Sequence, residues 1–185
     1  MNKFYKKKKN LKSLNRDNFK SDISKNTYRI YSFSGKLSFL NNKEIINGFK
    51  IVDELGVEYS SVENAYQASK TNDLNKRIYI STLSPWDSVT VGKSILVDKK
   101  FTLKKEIIMY NFLVQKFSKE PYRSLLINTW NSFIEYKNNH GDNFWGTVND
   151  YGQNKLGCLL MNIRAQVKKK KNIKVDMKEI LDSIE

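Results

Sequence analysis

Cysteine is almost absent from this 185-residue chain: Cys158 stands alone in the apolar run GCLLM. A single thiol permits no disulfide framework and no thiolate metal site, so Cys158 reads as a small core residue. Histidine also occurs once, at His140 in a polar loop beside Gly141, which leaves no triad or histidine metal cluster to assemble. No apolar run approaches the roughly 18 residues that a membrane-spanning helix needs. The N-terminal MNKFYKKKKN follows its lysines with polar residues instead of an apolar signal core, and a cytoplasmic location is expected. Neither GxxxxGK[ST] nor GxGxxG is present, which removes the nucleotide-cofactor folds those loops define. No metal and no cofactor are expected.

What the chain does have is 39% hydrophobic and 12% aromatic residues, enough for one soluble domain with a core. Acids are scarce beside bases, 19 against 33, and the net charge of +14 is uneven. Residues 1–26 carry nine Lys/Arg and two acids, half of the whole excess. This stretch reads as a flexible basic arm that either contacts DNA or RNA through phosphate attraction or is simply solvated. Residues 27–167 form the folded domain, and 168–185 a basic linker followed by a short amphipathic helix with Met177, Ile180, Leu181 and Ile184 on one face. The expected fold class is α+β: a predominantly helical single domain with a small antiparallel sheet.

Alternation at Tyr28, Ile30 and Ser32 before Gly35, followed by Leu37–Leu40, predicts a hairpin, and the residues around Gly56 predict a second. Ser60 to Glu63 reads as a capping box opening a helix through Val62, Ala65, Tyr66 and Ser69. Thr102 to Phe117 is a second helix with Leu103, Ile107, Tyr110, Val114 and Phe117 at helical spacing. A third starts at Pro121 and ends near Thr129. Phe133 to Tyr136 is extended, residues 141–152 form a loop, and Asn154 caps a last core helix with Leu156, Leu160, Ile163 and Val167 inward.

Glu63, Gln67 and Lys70, at i, i+4 and i+7, fall on one helix face and bring together a carboxylate, an amide and an amine. The same glutamate also fits a capping box, and the lysine an ordinary helix-end cation. GDNFWG offers the carboxylate of Asp142 beside the indole of Trp145, able to hold a ribose hydroxyl and wall a base, or equally a turn aspartate beside a core tryptophan. Glu135 on the preceding strand carries the same ambiguity. Asn154 and the helix start behind Gly152 present amides suited to a phosphate.

An ordered series of motifs resembles the NADAR superfamily over roughly Tyr28 to Val167. It comprises SFL at Ser38–Leu40, EYSSVENAYQASK at Glu58–Lys70, Ser84-Pro85, Gly92, Met109 with Lys116-Phe117, Glu135, Asp142 with Trp145-Gly146, and GQNKLGCLLMNIR at Gly152–Arg164. The resemblance implies an N-glycosidase of the kind that acts on riboflavin-pathway intermediates or removes ADP-ribose from guanine bases. By it, Glu63 and Asp142 match active-site acids and Lys70 a lysine of sugar chemistry. Asn154 and Arg164 match positions near the ligand-binding cleft, and Ser38, Phe39, Gln67, Phe101, Glu135, Trp145 and Gly146 are expected to bind the ligand with them. Two departures stand out: Phe101 replaces a frequent tryptophan, and Glu63-Asn64 replaces a common Glu-His pair. The substrate so implied is a ribosylated nucleotide or ADP-ribosylated guanine, with Glu63 and Asp142 expected to share one sugar-sized hollow. The competing reading is a non-catalytic module that binds ADP-ribose, NAD or modified nucleic acid.

Overall fold

The computed structural model describes residues 28–169. In chain order they form β1 (Arg29–Ile30), a 3-10 helix (Gly35–Leu40), β2 (Ile51–Val52), β3 (Glu58–Tyr59), α1 (Val62–Ala68), α2 (Leu74–Thr82), α3 (Pro85–Ser94), α4 (Lys99–Phe117), α5 (Tyr122–Ile127), β4 (Phe133–Ile134) and α6 (Lys155–Lys169). This is the expected α+β class, mainly helical with a small antiparallel sheet. Its elements group into two compact units, residues 28–40 with 120–169 and residues 41–119. The basic arm at 1–26 and the amphipathic stretch at 177–184 lie outside the described residues.

In the 41–119 unit, β2 pairs antiparallel with β3, Ile51 opposite Tyr59. Asp53 builds the turn: its Oδ1 accepts from the amides of Leu55 and Val57, each at 2.9 Å, and Gly56 supplies a φ of +81°. The hairpin expected around Gly56 is therefore present. α1 opens one residue later than the Ser60 capping box predicts. Ser61 Oγ accepts from the Asn64 amide at 3.0 Å and donates to Asn64 Oδ1, so Asn64 closes the cap and Glu63 is left for other work.

Two helices went unread in the sequence. α2 is capped by Asp73, whose carboxylate accepts from Lys76 N, and α3 by Ser84 with Pro85 in its first turn. Their caps were visible, but Leu74, Ile78, Tyr79 and Trp86 face solvent, so no clean apolar stripe marked them. α4 starts three residues before Thr102 because Asp98 is the cap, accepting from Phe101 N at 2.6 Å. Leu103, expected inward, is 74% exposed, while Tyr110, Val114 and Phe117 are buried. α1 packs on α2, α3 and α4 and is the centre of this unit.

Two cations are buried here. Arg77, 2% exposed, meets Asp53 at 2.9 Å and Glu54 at 2.6 Å, and Tyr59 Oη donates to the same Asp53 at 2.7 Å. Every charge in that cluster has a partner, which is the condition for tolerating it out of water. Lys116, 1% exposed, donates to Asn41 O at 3.1 Å and Glu44 Oε2 at 3.2 Å. Burial outweighs the Glu44 charge and lowers its pKa to about 8. The native state then releases this proton at a lower pH than the unfolded chain does, so Lys116 adds stability as pH rises from about 8 toward 10.5. The expected result is a wild-type stability curve that gains on Lys116→Met by up to roughly 3 kcal/mol across that window, read by denaturant titration at several pH values. Parallel curves would refute it.

In the 28–40 and 120–169 unit the expected first hairpin does not form. β1 pairs in parallel with β4, Arg29 opposite Phe133, and residues 37–40 turn into the 3-10 helix instead. Gly35 at φ +55° and the Leu37 N to Ser34 O bond wind the chain at the point where a hairpin would have continued, and Phe39 and Leu40 become buried. α5 and β4 both pack on α6, whose Leu156, Leu160, Ile163 and Val167 face the core as expected, with Cys158 buried among them.

Candidate active site

In the 41–119 unit, α1 carries Glu63 and Gln67, and their i, i+4 spacing produces a direct bond: Gln67 Nε2 donates to Glu63 Oε1 at 2.6 Å. The helix ends at Ala68, so Lys70 leaves the common face and its Nζ donates to Gly92 O on α3 at 3.0 Å. Gly92 is a steric requirement, because a Cβ there would collide with Gln67 Oε1. That amide oxygen is buried with no hydrogen-bond partner. Burial lowers the Lys70 pKa; the Glu63 carboxylate pulls it back up and Lys93 adds to the lowering. The amine therefore lies in the field of Glu63 and is easier to deprotonate than a surface lysine.

Lys70 opens on a cavity of about 270 Å³ whose lining includes Phe101, Lys100, Lys104, Arg77 and Asn111. The Phe101 ring packs on Tyr66 with centroids 5.7 Å apart and planes tilted by 50°. Glu63 and Gln67 are not among the lining residues, so of the three spaced side chains only Lys70 faces this space. Asn64, which stands where the family's histidine is common, is fully buried and donates to Ile80 O and Leu83 O at 3.0 and 2.9 Å. It ties α1 to the end of α2.

In the 120–169 unit, Asp142 Oδ1 accepts from Phe144 N at 3.1 Å and Trp145 N at 2.8 Å, which is the turn-aspartate arrangement. Asn138 grips the same residue at both backbone ends, accepting from Asp142 N and donating to Asp142 O. Trp145 is half-buried and meets Phe144 edge-on at 5.0 Å. Gly146 admits no side chain, since a Cβ would strike Tyr136 O. Glu135 is buried just beyond β4, and its amide donates to Ile30 O. Ser38 and Phe39 lie in the 3-10 helix, Ser38 half-buried and Phe39 buried.

Two expectations at the start of α6 are corrected. Asn154 does not spend its side chain as a helix cap: fully buried at φ +49°, it accepts from Tyr136 N at 3.0 Å and donates to Ile134 O at 2.9 Å, stitching the end of β4 to the helix. Nor are amides free for a phosphate there. Those of Gln153, Asn154, Lys155 and Leu156 donate to Asn143, Gly146, Phe144 and Trp145 carbonyls respectively, because the loop that carries Asp142 folds back over the helix start. Arg164, further along α6, is buried and donates to Thr129 Oγ1 at 2.8 Å and Ser132 O at 2.9 Å. With only neutral acceptors, burial lowers its pKa to about 10.

Gly92 stood in the motif series without its steric role, and sequence reading missed Arg77, Lys100 and Lys104. The last two carried a readable signal: lysines four apart at a helix start with no acid in the first turn. Among the described residues, no group of three or more His, Cys, Asp or Glu is placed to hold a metal, and no helix is long and apolar enough to cross a membrane.

The solution NMR structure of the Escherichia coli protein YbiA is similar to this chain, with 25% identity, a TM-score of 0.66, and coverage of 84% of this chain and 94% of that one. Among curated proteins no sequence matches. The NADAR domain model matches residues 4–168, spanning both compact units and the whole motif series from Ser38 to Arg164. A match of that extent, over a fold shared with YbiA, makes this chain a member of the NADAR domain family, which includes N-glycosidases.

Proposed function

We propose that this protein hydrolyses the bond between ribose C1′ and a base nitrogen, removing ADP-ribose from guanine or cleaving a related ribosylated nucleotide such as a riboflavin-pathway intermediate. The observation that carries the reading is Lys70: a partly buried amine of lowered pKa, at the edge of a cavity walled by Phe101 and within the field of Glu63.

Breaking C1′–N sends the bonding pair to the departing base and leaves positive charge on the sugar. The Glu63 carboxylate does not line this cavity; its field acts on Lys70, and its role as acceptor of a proton from the water that adds to C1′ enters on family resemblance. Lys70 has two routes. As a cation it holds the ligand electrostatically. As a neutral amine it adds to C1′ while the base leaves, the ring oxygen takes the C1′–O pair to open the sugar, and the resulting iminium is hydrolysed to aldehyde and free amine. Phe101 offers a stacking face for a ring, without the indole N–H of the tryptophan frequent in the family. Asp142 and Trp145 enter on family resemblance.

The direct test is incubation with guanine-ADP-ribosylated oligonucleotide, NAD, ADP-ribose and ribosylamino-pyrimidine phosphates, reading released base by mass spectrometry, with Asp142→Asn as one control. Release from one of them, lost in that control, is expected. One observation favours the alternative of a binding module: the Lys70 amine is already committed to Gly92 O. Tight binding of ADP-ribose without turnover of any of the four would establish that alternative and end the hydrolase proposal.

A further inference from the structure

The first turns of α4 carry a charge arrangement that works against the helix. Lys99, Lys100, Lys104 and Lys105 crowd its N-terminal end, and no acidic residue stands in the first turn. The N-terminal end of a helix is the positive end of its dipole, so cations there are disfavoured, and like charges four apart disfavour one another. Within the cavity the other charged groups are occupied. Arg77 is held by Asp53 and Glu54, and Asp98 Oδ1 by Phe101 N. Lys100 and Lys104 have neither a carboxylate nor a hydrogen-bond partner among the described residues, yet both line the same 270 Å³ space as Lys70 and Phe101. An anion placed there would reverse both penalties at once.

We infer that Lys100 and Lys104 form an anion subsite that takes the phosphoryl groups of the substrate, beside the aromatic face of Phe101. The inference rests on the proposed function for the substrate's identity, and on the cavity for its location. It makes the preferred substrate a ribosyl phosphate or diphosphate and not a neutral nucleoside. A phosphoryl oxygen between two ammonium groups one helical turn apart receives charge-assisted hydrogen bonds from each. Phe101, three residues before Lys104 and one after Lys100, lies at the same end of the helix.

The full chain and three variants, Lys100→Ala/Lys104→Ala, Lys76→Ala and Lys70→Ala, are titrated with inorganic pyrophosphate, ADP-ribose and an unmodified single-stranded oligonucleotide by calorimetry. Expected is binding of pyrophosphate and ADP-ribose by the wild type, weakened at least about tenfold in the double variant and unchanged in Lys76→Ala, whose exposed lysine on α2 controls for bulk charge. The unfolding midpoint of the double variant should be no lower than that of the wild type, since removing the two charges relieves the dipole and like-charge penalties on α4. In turnover, the double variant raises KM with kcat nearly retained. Equal pyrophosphate affinity in the wild type and the double variant, or an equal loss in Lys76→Ala, overturns the subsite. So does a loss confined to the oligonucleotide, which would assign these lysines to a phosphodiester backbone. Lysine-dependent pyrophosphate binding without hydrolysis of any substrate would leave the subsite standing and remove only the hydrolase reading.

Discussion

Glu63→Gln is expected to lower the rate of base release by on the order of 10²–10⁴, the usual contribution of a positioned acid or base, without loss of fold. The substitution keeps the side-chain shape and an oxygen to accept from Gln67 Nε2, so the bond that orders this face of α1 persists. The cap is independent of it, because Ser61 and Asn64 close the helix start. What disappears is the negative charge. Glu63 raises the Lys70 pKa, so its removal drives that pKa further down and enlarges the neutral fraction of the amine. Glu63→Gln thus separates two contributions: if the amine is the nucleophile, adduct formation starts at lower pH in the variant while overall turnover falls. Single-turnover assays with a thermal midpoint as fold control read both. Turnover within a few-fold of wild type would remove Glu63 from the mechanism.

Lys70→Ala should cost on the order of 10²–10³ in kcat if the amine acts electrostatically, and more if it acts covalently. Lys70→Arg distinguishes the two. It preserves charge and donors but cannot form an imine, so an electrostatic role leaves Lys70→Arg partly active and a covalent role leaves it inactive. Borohydride added during turnover reduces an iminium to a stable amine, detected as a mass increase on the Lys70 peptide. Its yield should climb with pH through the depressed pKa, because only the neutral amine attacks. An active wild type that never yields an adduct retires the covalent route. The same depressed pKa has a thermodynamic consequence. Folding disfavours charged Lys70, so it costs stability below its folded pKa, and that cost is relieved as pH rises toward 10.5.

These results turn on residues whose legibility in the sequence differed. Glu63 and Gln67 were readable because helical spacing alone brings them together, and the observed bond confirms it. Lys70 was placed on the same face by extrapolating the period, but α1 stops at Ala68, and the amine goes to a helix that the sequence reading had not marked. Asn154 was recognised as important for the wrong local reason. Asparagine before a helix is ordinarily a cap, whereas here its positive φ aims the amide at the β4 backbone. The missing hairpin at residues 28–40 has a similar origin: alternation identifies a strand but not its partner, and β1 takes one more than a hundred residues away.

The chain's own order of residues settled its class, its family motifs, the turn at Gly56, the inward stripe of α6 and the pairing of Glu63 with Gln67. All of these are set by local geometry or by short-range periodicity. Only the folded molecule decided which groups are desolvated, which amides remain available and which lysines meet around a cavity. Desolvation and hydrogen-bond satisfaction depend on everything that packs nearby, and most of those neighbours are far apart in sequence: Gly92 for Lys70, Asp53 for Arg77, Tyr136 for Asn154.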